Sequence, residues 1–193
     1  MYQSREEVFV HETSVIDSNV SIGNGTKIWC FSHVQEDANI GEYCIIGQNV
    51  NISHGVKIGN YVKIQNNVSV YSGVELEDYV FCGPSCVFSN DIAPRSKYPK
   101  GVEHYKKTYV REGASIGANA TVVCGHTIGK CAFVAAGAVV TSDVPDYALM
   151  IGIPARQKGW VCECGGKLND FLKCTICGRT YQKSKSGLQE CEV

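Results

Sequence analysis

An aliphatic side chain recurs at every sixth position along most of this chain. The first run has fourteen positions from Val10 to Phe88, and twelve of them are Val, Ile or Leu. The phase is lost after Phe88 and resumes for six aliphatic positions from Val110 to Val140. Small or β-branched side chains follow four residues after most of these positions. A period of six matches neither an amphipathic helix nor a single β-strand.

This repeat predicts a chain that turns a corner every six residues and directs one aliphatic side chain per side into a prism. It resembles the left-handed parallel β-helix of the hexapeptide-repeat proteins, so the predicted fold class is all-β. Three sides close one coil, and the hexads make about six to seven coils with strand-like spacing. A β-sandwich does not predict one register over so many steps. We expect glycine to relieve the strained dihedral angles of the corners, at Gly23, Gly41, Gly47, Gly59 and Gly83.

The break in the repeat divides the chain into recognisable parts. Residues 1–160 are predicted to form the β-helix domain, with an inserted loop at 89–109 and a tail at 145–160. Residues 161–193 form a small Cys-rich module. The loop carries a local excess of basic residues that suits phosphate binding. The alternative is a merely solvated polar loop.

Tyr43, Tyr61 and Tyr79 are spaced by 18 residues, the length of one predicted coil. We therefore expect them to stack in a column on successive coils. Such a column serves either as cross-strand stacking or as part of a subunit contact.

Composition excludes several classes of protein. The chain has 193 residues, with 18 Lys and Arg against 19 Asp and Glu, which argues against a generic nucleic-acid binder. It has no apolar run of membrane-spanning length, and its first residues are charged where a signal peptide would be apolar. The eleven cysteines indicate a reducing compartment, so we expect a cytoplasmic protein.

Several short motifs are more specific than the repeat. They are WCFSH at 29–33, KIQNNVSVY at 63–71, FCGPSCVFSN at 81–90, PRS at 94–96, ANATVVCG at 118–125 and YALMIGIPARQKGW at 147–160. They resemble the hexapeptide-repeat acyltransferases, in particular those that N-acetylate the 3-amino group of UDP-2-acetamido-3-amino-2,3-dideoxyglucuronate. Related enzymes that act on dTDP-linked 3-amino-3,6-dideoxyhexoses are the alternative. Residues 89–91, Ser-Asn-Asp, depart from the Thr-Asn-Val that is usual in the glucuronate enzymes.

The resemblance implies acetyl-CoA as co-substrate, a nucleotide sugar as acceptor, and a role in lipopolysaccharide or O-antigen biosynthesis. It also implies a homotrimer with active sites between neighbouring subunits. Two other classes share the fold. A γ-type carbonic anhydrase requires a His-x4-His pair, which this chain lacks. A non-enzymatic β-solenoid requires flat repetitive faces, whereas this chain has an inserted basic loop.

The resemblance implies two candidate catalytic residues. It puts Asn90 beside the reacting amine and the thioester, where an amide accepts a hydrogen bond from the amine and donates one to a carbonyl. The alternative is that Asn90 only caps the turn. His33 lies in a shared motif and is the candidate general base, although a single solenoid histidine is often structural. A sugar amine is less basic than lysine, so acetyl transfer does not require a strong base.

Further candidates concern binding. The predicted substrate-binding residues are Gln65, Asn66, Asn67 and Arg95. Arginine pairs well with phosphates and carboxylates, and stacked Asn side chains alternatively cap the coils. Coenzyme A is implied to lie along the later coils, with its pantetheine arm against small residues. The predicted coenzyme-binding residues are Ala136, Gly137, Ile153, Pro154 and Arg156.

The terminal module contains two cysteine pairs, Cys162-x-Cys164 and Cys174-x-x-Cys177. They resemble the two arms of a zinc ribbon, although the first arm is one residue shorter than usual. A segment this short has too little core to fold unaided, which favours a structural Zn²⁺. The alternative is a tail without metal. Four thiolates leave no open position, so a catalytic zinc is not expected.

Overall fold

The computed structural model describes residues 7–191, in which short strands wind around a three-sided prism. The predicted all-β solenoid of hexapeptide repeats is confirmed. Each coil contributes one strand to each of three parallel sheets. The first sheet contains β1 (Phe9–Val10), β4 (Lys27–Ile28), β7 (Ile45–Ile46), β10 (Lys63–Ile64), β13 (Phe81–Cys82), β16 (Ser115–Ile116), β19 (Phe133–Val134) and β21 (Ala148–Ile151), and ends with the antiparallel β22 (Arg156–Trp160).

The other two sheets consist of the remaining strands of the solenoid. The second sheet contains β2 (Val15–Ile16), β5 (His33–Val34), β8 (Asn51–Ile52), β11 (Ser69–Val70), β14 (Val87–Phe88), β17 (Thr121–Val122) and β20 (Val139–Val140). The third sheet contains β3 (Ser21–Ile22), β6 (Asn39–Ile40), β9 (Lys57–Ile58), β12 (Val74–Leu76), β15 (Thr108–Val110) and β18 (Thr127–Ile128). We call the edge between the first and second sheets the first corner. The second corner joins the second and third sheets, and the third corner joins the third and first sheets.

Strand pairing shows how the inserted loop fits into the repeat. Lys27 pairs with Phe9, 18 residues earlier, and this offset holds for the coils before the loop. Across the loop, Ser115 pairs with Phe81, an offset of 34 residues. The loop therefore adds sixteen residues without disturbing the register on any face. It contains one turn of 3-10 helix, Val102–His104.

The solenoid extends further than the hexads predicted. Val144 pairs with Ile128, and β21 pairs in parallel with β19, although the spacing is no longer six residues. The first sheet consequently has eight parallel strands, and the coils exceed the six to seven expected. Residues 145–151, predicted as the start of a tail, continue the winding, because β21 supplies the strand that the next coil requires.

The aliphatic residues of the repeat form the core. From Ile28 to Val140 every key position is at most 3% exposed. Val10 is 37% exposed and Ile16 is half-buried, because within residues 7–191 the first coil has a neighbouring coil on one side only. Hydrophobic burial along the axis therefore stabilises the stack of coils.

The expected role of the repeat glycines is wrong. A left-handed corner residue lies three positions after seventeen of the twenty key residues, and eleven of these seventeen are not glycine, as Tyr43 and Asn67 illustrate. Gly23 and Gly83 have ordinary backbone angles. A Cβ on Gly23 would lie 2.5 Å from the backbone nitrogen of Glu42 in the next coil, and one on Gly83 would lie 2.7 Å from that of Ala118. Glycine is required there because the coils approach closely.

The tyrosine column forms as expected at the third corner. The ring centroids of Tyr43 and Tyr61 are 5.2 Å apart, and those of Tyr61 and Tyr79 are 5.0 Å apart, with nearly parallel planes. All three rings are exposed on their outer sides. In residues 7–191 the chain forms no helix long and apolar enough to cross a membrane.

The Cys-rich module follows β22. It contains one antiparallel hairpin, β23 (Tyr181–Lys183) and β24 (Leu188–Glu190). Its small hydrophobic cluster includes Tyr147 and Cys131 of the solenoid. The module therefore packs on the last coil, and its treatment as a separate domain stays a prediction.

Candidate functional site

The second sheet and its two bordering corners contain most of the predicted site residues. His33 begins β5, and Asn90 follows β14 at the second corner. Gln65–Asn67 and Ala136–Gly137 both turn the first corner, three coils apart. The second sheet therefore separates Asn90, at the second corner, from the candidates at the first corner.

Asn90 lies at the base of the inserted loop, at the second corner. Its backbone carbonyl accepts a hydrogen bond from the Lys106 N–H at 2.9 Å, which closes the base of the inserted loop. Within residues 7–191 its side-chain amide has no hydrogen-bond partner, and the residue is half-buried. The amide is therefore free to bind a ligand, and its predicted role beside the amine and the thioester stays a prediction.

Asp91 gives this position a negative charge that the sequence analysis did not single out. Its carboxylate accepts a hydrogen bond from the Ala93 N–H at 2.8 Å and lies 3.5 Å from Lys100 Nζ. The Ala93 N–H, followed by the charge of Lys100, holds the pKa of Asp91 below its usual range. The carboxylate is therefore ionised at neutral pH, next to Asn90.

His33 lies far from Asn90. Its imidazole Nε2 binds both carboxylate oxygens of Asp17, at 3.0 and 3.1 Å, on the preceding coil. Three strand spacings separate the coils of His33 and Asn90, about 14 Å along the axis. Since the ring also points away from Asn90, the two side chains cannot act on the same amine within one chain.

The polar cluster at the first corner is largely occupied by coil-to-coil bonds. Asn66 Oδ1 accepts a hydrogen bond from the Gln48 N–H at 2.9 Å. Asn67 Oδ1 accepts one from the Asn49 amide at 3.0 Å. These bonds stabilise the stacking of coils, which is the alternative that the sequence left open. The role of Gln65, Asn66 and Asn67 in substrate binding stays a prediction.

The coenzyme candidates come together at the C-terminal end of the first corner. The Val139 N–H donates to the Gly152 carbonyl at 3.1 Å, and the Ala155 N–H donates to the Val139 carbonyl at 2.7 Å. These bonds place residues 152–155 against the corner formed by Ala136 and Gly137. A Cβ on Gly137 would meet no atom within 4 Å, so the corner is open to solvent. Ile153, Pro154 and Arg156 are exposed beside it.

Arg95 lies in the exposed part of the inserted loop. Its backbone carbonyl accepts a hydrogen bond from the Tyr98 N–H at 3.0 Å. The loop is fastened at its base, where the Thr108 N–H donates to the Gly73 carbonyl at 2.9 Å. The guanidinium group is thus carried on a segment anchored at both ends, which suits contact with a ligand or a neighbouring subunit.

The four cysteines of the module converge, as the spacing predicts. The sulfur atoms of Cys162, Cys164, Cys174 and Cys177 all lie within 4.8 Å of one another. In the part of the chain that the structure describes, this is the one group of three or more His, Cys, Asp or Glu side chains able to hold a metal ion. The cluster is separate from the face that contains Asn90.

Family comparisons agree with the fold. Residues 19–54 match the bacterial transferase hexapeptide family (six repeats). Residues 38–72 and 112–142 match the hexapeptide repeat of succinyl-transferase. The two matches cover coils on both sides of the inserted loop.

Individual proteins give a more specific comparison. The chain is 46% identical, over 184 residues and 94% of each protein, to the dTDP-3-amino-3,6-dideoxy-alpha-D-galactopyranose 3-N-acetyltransferase of Aneurinibacillus thermoaerophilus. A hexapeptide-repeat acetyltransferase of Vibrio cholerae, solved with acetyl coenzyme A, is 28% identical with a TM-score of 0.57 over 64% of this chain and 70% of that one. PerB of Caulobacter crescentus, solved with CoA and GDP-perosamine, is 25% identical with a TM-score of 0.50 over 80% of this chain and 58% of that one.

Proposed function

The chain belongs to the hexapeptide-repeat N-acetyltransferases, and we propose that it acetylates the 3-amino group of dTDP-3-amino-3,6-dideoxygalactose with acetyl-CoA. The observation that carries this proposal is the 46% identity to an enzyme of that name over 94% of both chains. It supports the dTDP-linked dideoxyhexose, the alternative of the sequence analysis. The UDP-linked glucuronate, its main expectation, has no such support.

Asp91 supplies a physical reason for the same preference. The Ala93 N–H and Lys100 keep its carboxylate ionised beside Asn90. A glucuronate substrate would bring a second carboxylate toward this charge, and like charges repel. A 6-deoxyhexose carries a methyl group in place of that carboxylate and meets no such penalty.

Asn90 orients the reactants. The neutral sugar amine attacks the thioester carbonyl, so that a C–N bond forms, the C–S bond breaks, and coenzyme A leaves as its thiol after taking the proton from nitrogen. The Asn90 amide oxygen accepts a hydrogen bond from the amine, and its NH₂ group is available to the thioester carbonyl. Such positioning contributes much of the rate when the nucleophile is already neutral.

The coenzyme binds at the first corner, against Ala136 and Gly137, with Ile153, Pro154 and Arg156 flanking its nucleotide end. Exposed small residues let the pantetheine arm approach the backbone. The Arg156 guanidinium suits a phosphate. Acetyl-CoA is the co-substrate, in line with the acetyl coenzyme A bound to the Vibrio cholerae acetyltransferase.

A homotrimer completes this site. Asn90 and the inserted loop lie at the second corner, whereas the coenzyme residues lie at the first, so one chain does not bring them together. Three copies around an axis parallel to the solenoid would set the loop of one subunit against the first corner of its neighbour. Within residues 7–191 the eleven cysteines form no disulfide bond, which fits synthesis of a surface-polysaccharide precursor in the cytoplasm.

The test is acetyl transfer to a panel of nucleotide sugars, followed by release of coenzyme A thiol and by the mass of the product. The panel contains dTDP-3-amino-3,6-dideoxygalactose, its gluco epimer and UDP-2-acetamido-3-amino-2,3-dideoxyglucuronate. We expect the highest kcat/KM with the galacto sugar. A higher value with the glucuronate would overturn the proposed acceptor, and no transfer to any amine would overturn the proposed reaction.

A further inference from the structure

The four-cysteine cluster of the terminal module has the dimensions of a metal site. Cys162 Sγ lies 3.5 Å from Cys177 Sγ, and Cys164 Sγ lies 3.6 Å from Cys174 Sγ and 3.5 Å from Cys177 Sγ. Four thiolates around Zn²⁺, each at about 2.3 Å, form a tetrahedron with sulfur–sulfur edges of about 3.8 Å. The observed separations are close to these edges, and they are too long for disulfide bonds.

The backbone around the sulfurs favours thiolates. The N–H groups of Ile176 and Cys177 both point at Cys174 Sγ, at 3.4 and 3.5 Å. Amide donors of this kind stabilise negative charge on a metal-bound sulfur. A Cβ on Gly166 would lie 2.8 Å from Cys174 Sγ, so glycine is needed for the chain to pass the cluster.

Two of the sulfur ligands also belong to the small core that joins the module to the solenoid. Cys162 and Cys174 are buried in one cluster with Tyr147, Tyr181 and Leu188. The Tyr181 hydroxyl lies 3.0 Å from Cys162 Sγ, and its ring centroid lies 5.0 Å from that of Tyr147. This core contains too few apolar side chains to stabilise the folded module without a further cross-link.

The cluster is directly connected to the strand that covers the end of the solenoid. β21 pairs with β22, and β22 leads within two residues to Cys162. The Val161 N–H donates to the Tyr147 carbonyl at 2.8 Å, and the Asp146 N–H donates to the Ser186 carbonyl at 2.9 Å. The module therefore shields backbone edges that the last coil of a solenoid would otherwise expose.

We propose that Cys162, Cys164, Cys174 and Cys177 bind one structural Zn²⁺, and that this ion holds the module as a cap on the C-terminal end of the solenoid. A tetrahedral set of four sulfur donors suits Zn²⁺ or iron, and the zinc ribbon spacing of the two arms favours zinc. The full set of protein ligands leaves no position for a substrate, so the ion is structural. The site does not depend on which sugar is acetylated.

The first test is metal analysis of the full-length protein, purified without chelators under reducing conditions. We expect one Zn²⁺ per chain, and loss of the ion in Cys164→Ser, a substitution at an exposed ligand. Cys191→Ser is the matched control, because Cys191 belongs to the module but not to the cluster, and it should retain the ion. Iron in place of zinc, no metal after reconstitution with Zn²⁺, or a full zinc content in Cys164→Ser would each overturn the site.

The second test addresses the cap. Hydrogen exchange is compared between the zinc-loaded protein and the same protein after chelation. We expect faster exchange in residues 145–162 and unchanged protection in the central coils, such as β8 and β11. Unchanged exchange in residues 145–162 after removal of the ion would overturn the capping role, even if zinc binds. Co²⁺ substitution adds a spectroscopic check, since a four-sulfur tetrahedral site gives intense visible absorption that Cys164→Ser should lack.

Discussion

Both carboxylate oxygens of Asp17 lie within hydrogen-bond distance of Nε2 of His33, at 3.0 and 3.1 Å. A carboxylate only accepts hydrogen bonds, so the imidazole proton resides on Nε2. The pair joins the first two coils and directs the ring away from the coil that carries Asn90. His33 is therefore better suited to stabilising the stacking of the first two coils than to removing a proton from an amine bound at Asn90.

We expect Asn90→Ala to lower kcat about a hundredfold or more, because misplacement of the amine by about 1 Å has an effect of that size. His33→Asn should lower kcat less than about tenfold, whereas loss of a true general base typically lowers it by 10²- to 10⁴-fold. The pH–rate profile of His33→Asn should still follow the ionisation of the substrate amine. Steady-state kinetics at several pH values measure both effects.

Asp17→Asn is the matched control for the histidine variant, because it removes the partner and leaves the imidazole. If His33 has a structural role, the two variants should lose similar thermal stability and similar small amounts of activity. A large loss of kcat in His33→Asn, with unchanged substrate KM and no acidic limb in the profile, would instead identify His33 as the base.

Asp91 is expected to determine the choice of acceptor. Asp91→Asn removes the charge beside Asn90 and keeps the side-chain oxygen that accepts from Ala93. We expect the ratio of kcat/KM for the glucuronate over the dideoxygalactose to rise about fivefold, since removal of one like-charge contact in a partly exposed site is worth about 1 kcal/mol. Glu103→Gln, also in the loop and exposed, is the control and should leave the ratio unchanged. An unchanged ratio in Asp91→Asn would show that Asp91 does not discriminate.

The Asp91 carboxylate also makes the stability of the folded protein depend on pH, with a sign that follows from its lowered pKa. The pKa of Asp91 is lower in the folded protein than in the unfolded chain, chiefly through the Ala93 N–H. Its contribution to stability is thus present above the unfolded pKa and is lost as pH falls through the lowered folded value. The carboxylate is partly exposed and solvent screens its contacts, so we expect this dependence to be small.

The two kinds of glycine should respond differently to substitution. Gly55 has a left-handed backbone with φ of 66° and open space around it, so Gly55→Ala should lower the free energy of unfolding by about 1 kcal/mol. Gly41 has ordinary backbone angles, but a Cβ there would lie 2.5 Å from the Gly59 carbonyl oxygen. Gly41→Ala should therefore destabilise by about 3 kcal/mol or more, since two backbones must separate. Urea denaturation compares the two, and a larger effect at Gly55 would contradict this explanation of the repeat.

These glycines also illustrate how far the sequence alone could lead. The hexad repeat was sufficient to predict the solenoid, its buried aliphatic positions and the place of the inserted loop, because one register repeats on every face. It did not reveal which position of each hexad turns the corner, since Tyr43 and Tyr61 adopt left-handed angles that are unusual for tyrosine. The regular repeat shows by counting that His33 and Asn90 lie three coils apart. The sequence nevertheless makes both of them catalytic candidates, because each lies in a motif that resembles the family.

Other features could not follow from the repeat. The Asp17–His33 pair is diagonal across two coils, and it depends on the directions of two outward side chains that a hexad pattern leaves free. The Asp91–Lys100 contact lies within an insertion that has no periodicity. The relation between the first and second corners depends on a neighbouring subunit, whose position no single chain determines.

Arg156 is expected to bind the nucleotide end of the coenzyme. One guanidinium nitrogen donates to the Ala155 carbonyl at 3.0 Å, and the remaining donors are exposed beside the corner of Ala136 and Gly137. Arg156→Ala should raise the KM for acetyl-CoA about tenfold, equivalent to about 1.4 kcal/mol, with little change in kcat, because the contact is the same in the ground and transition states. Lys158→Ala, an exposed cation on the same strand, is the control. Acetyl-dephospho-CoA identifies the phosphate concerned: if Arg156 binds the 3′-phosphate, the variant and the parent enzyme should have equal KM values for this analogue. An unchanged KM for acetyl-CoA in Arg156→Ala would remove the residue from the coenzyme site.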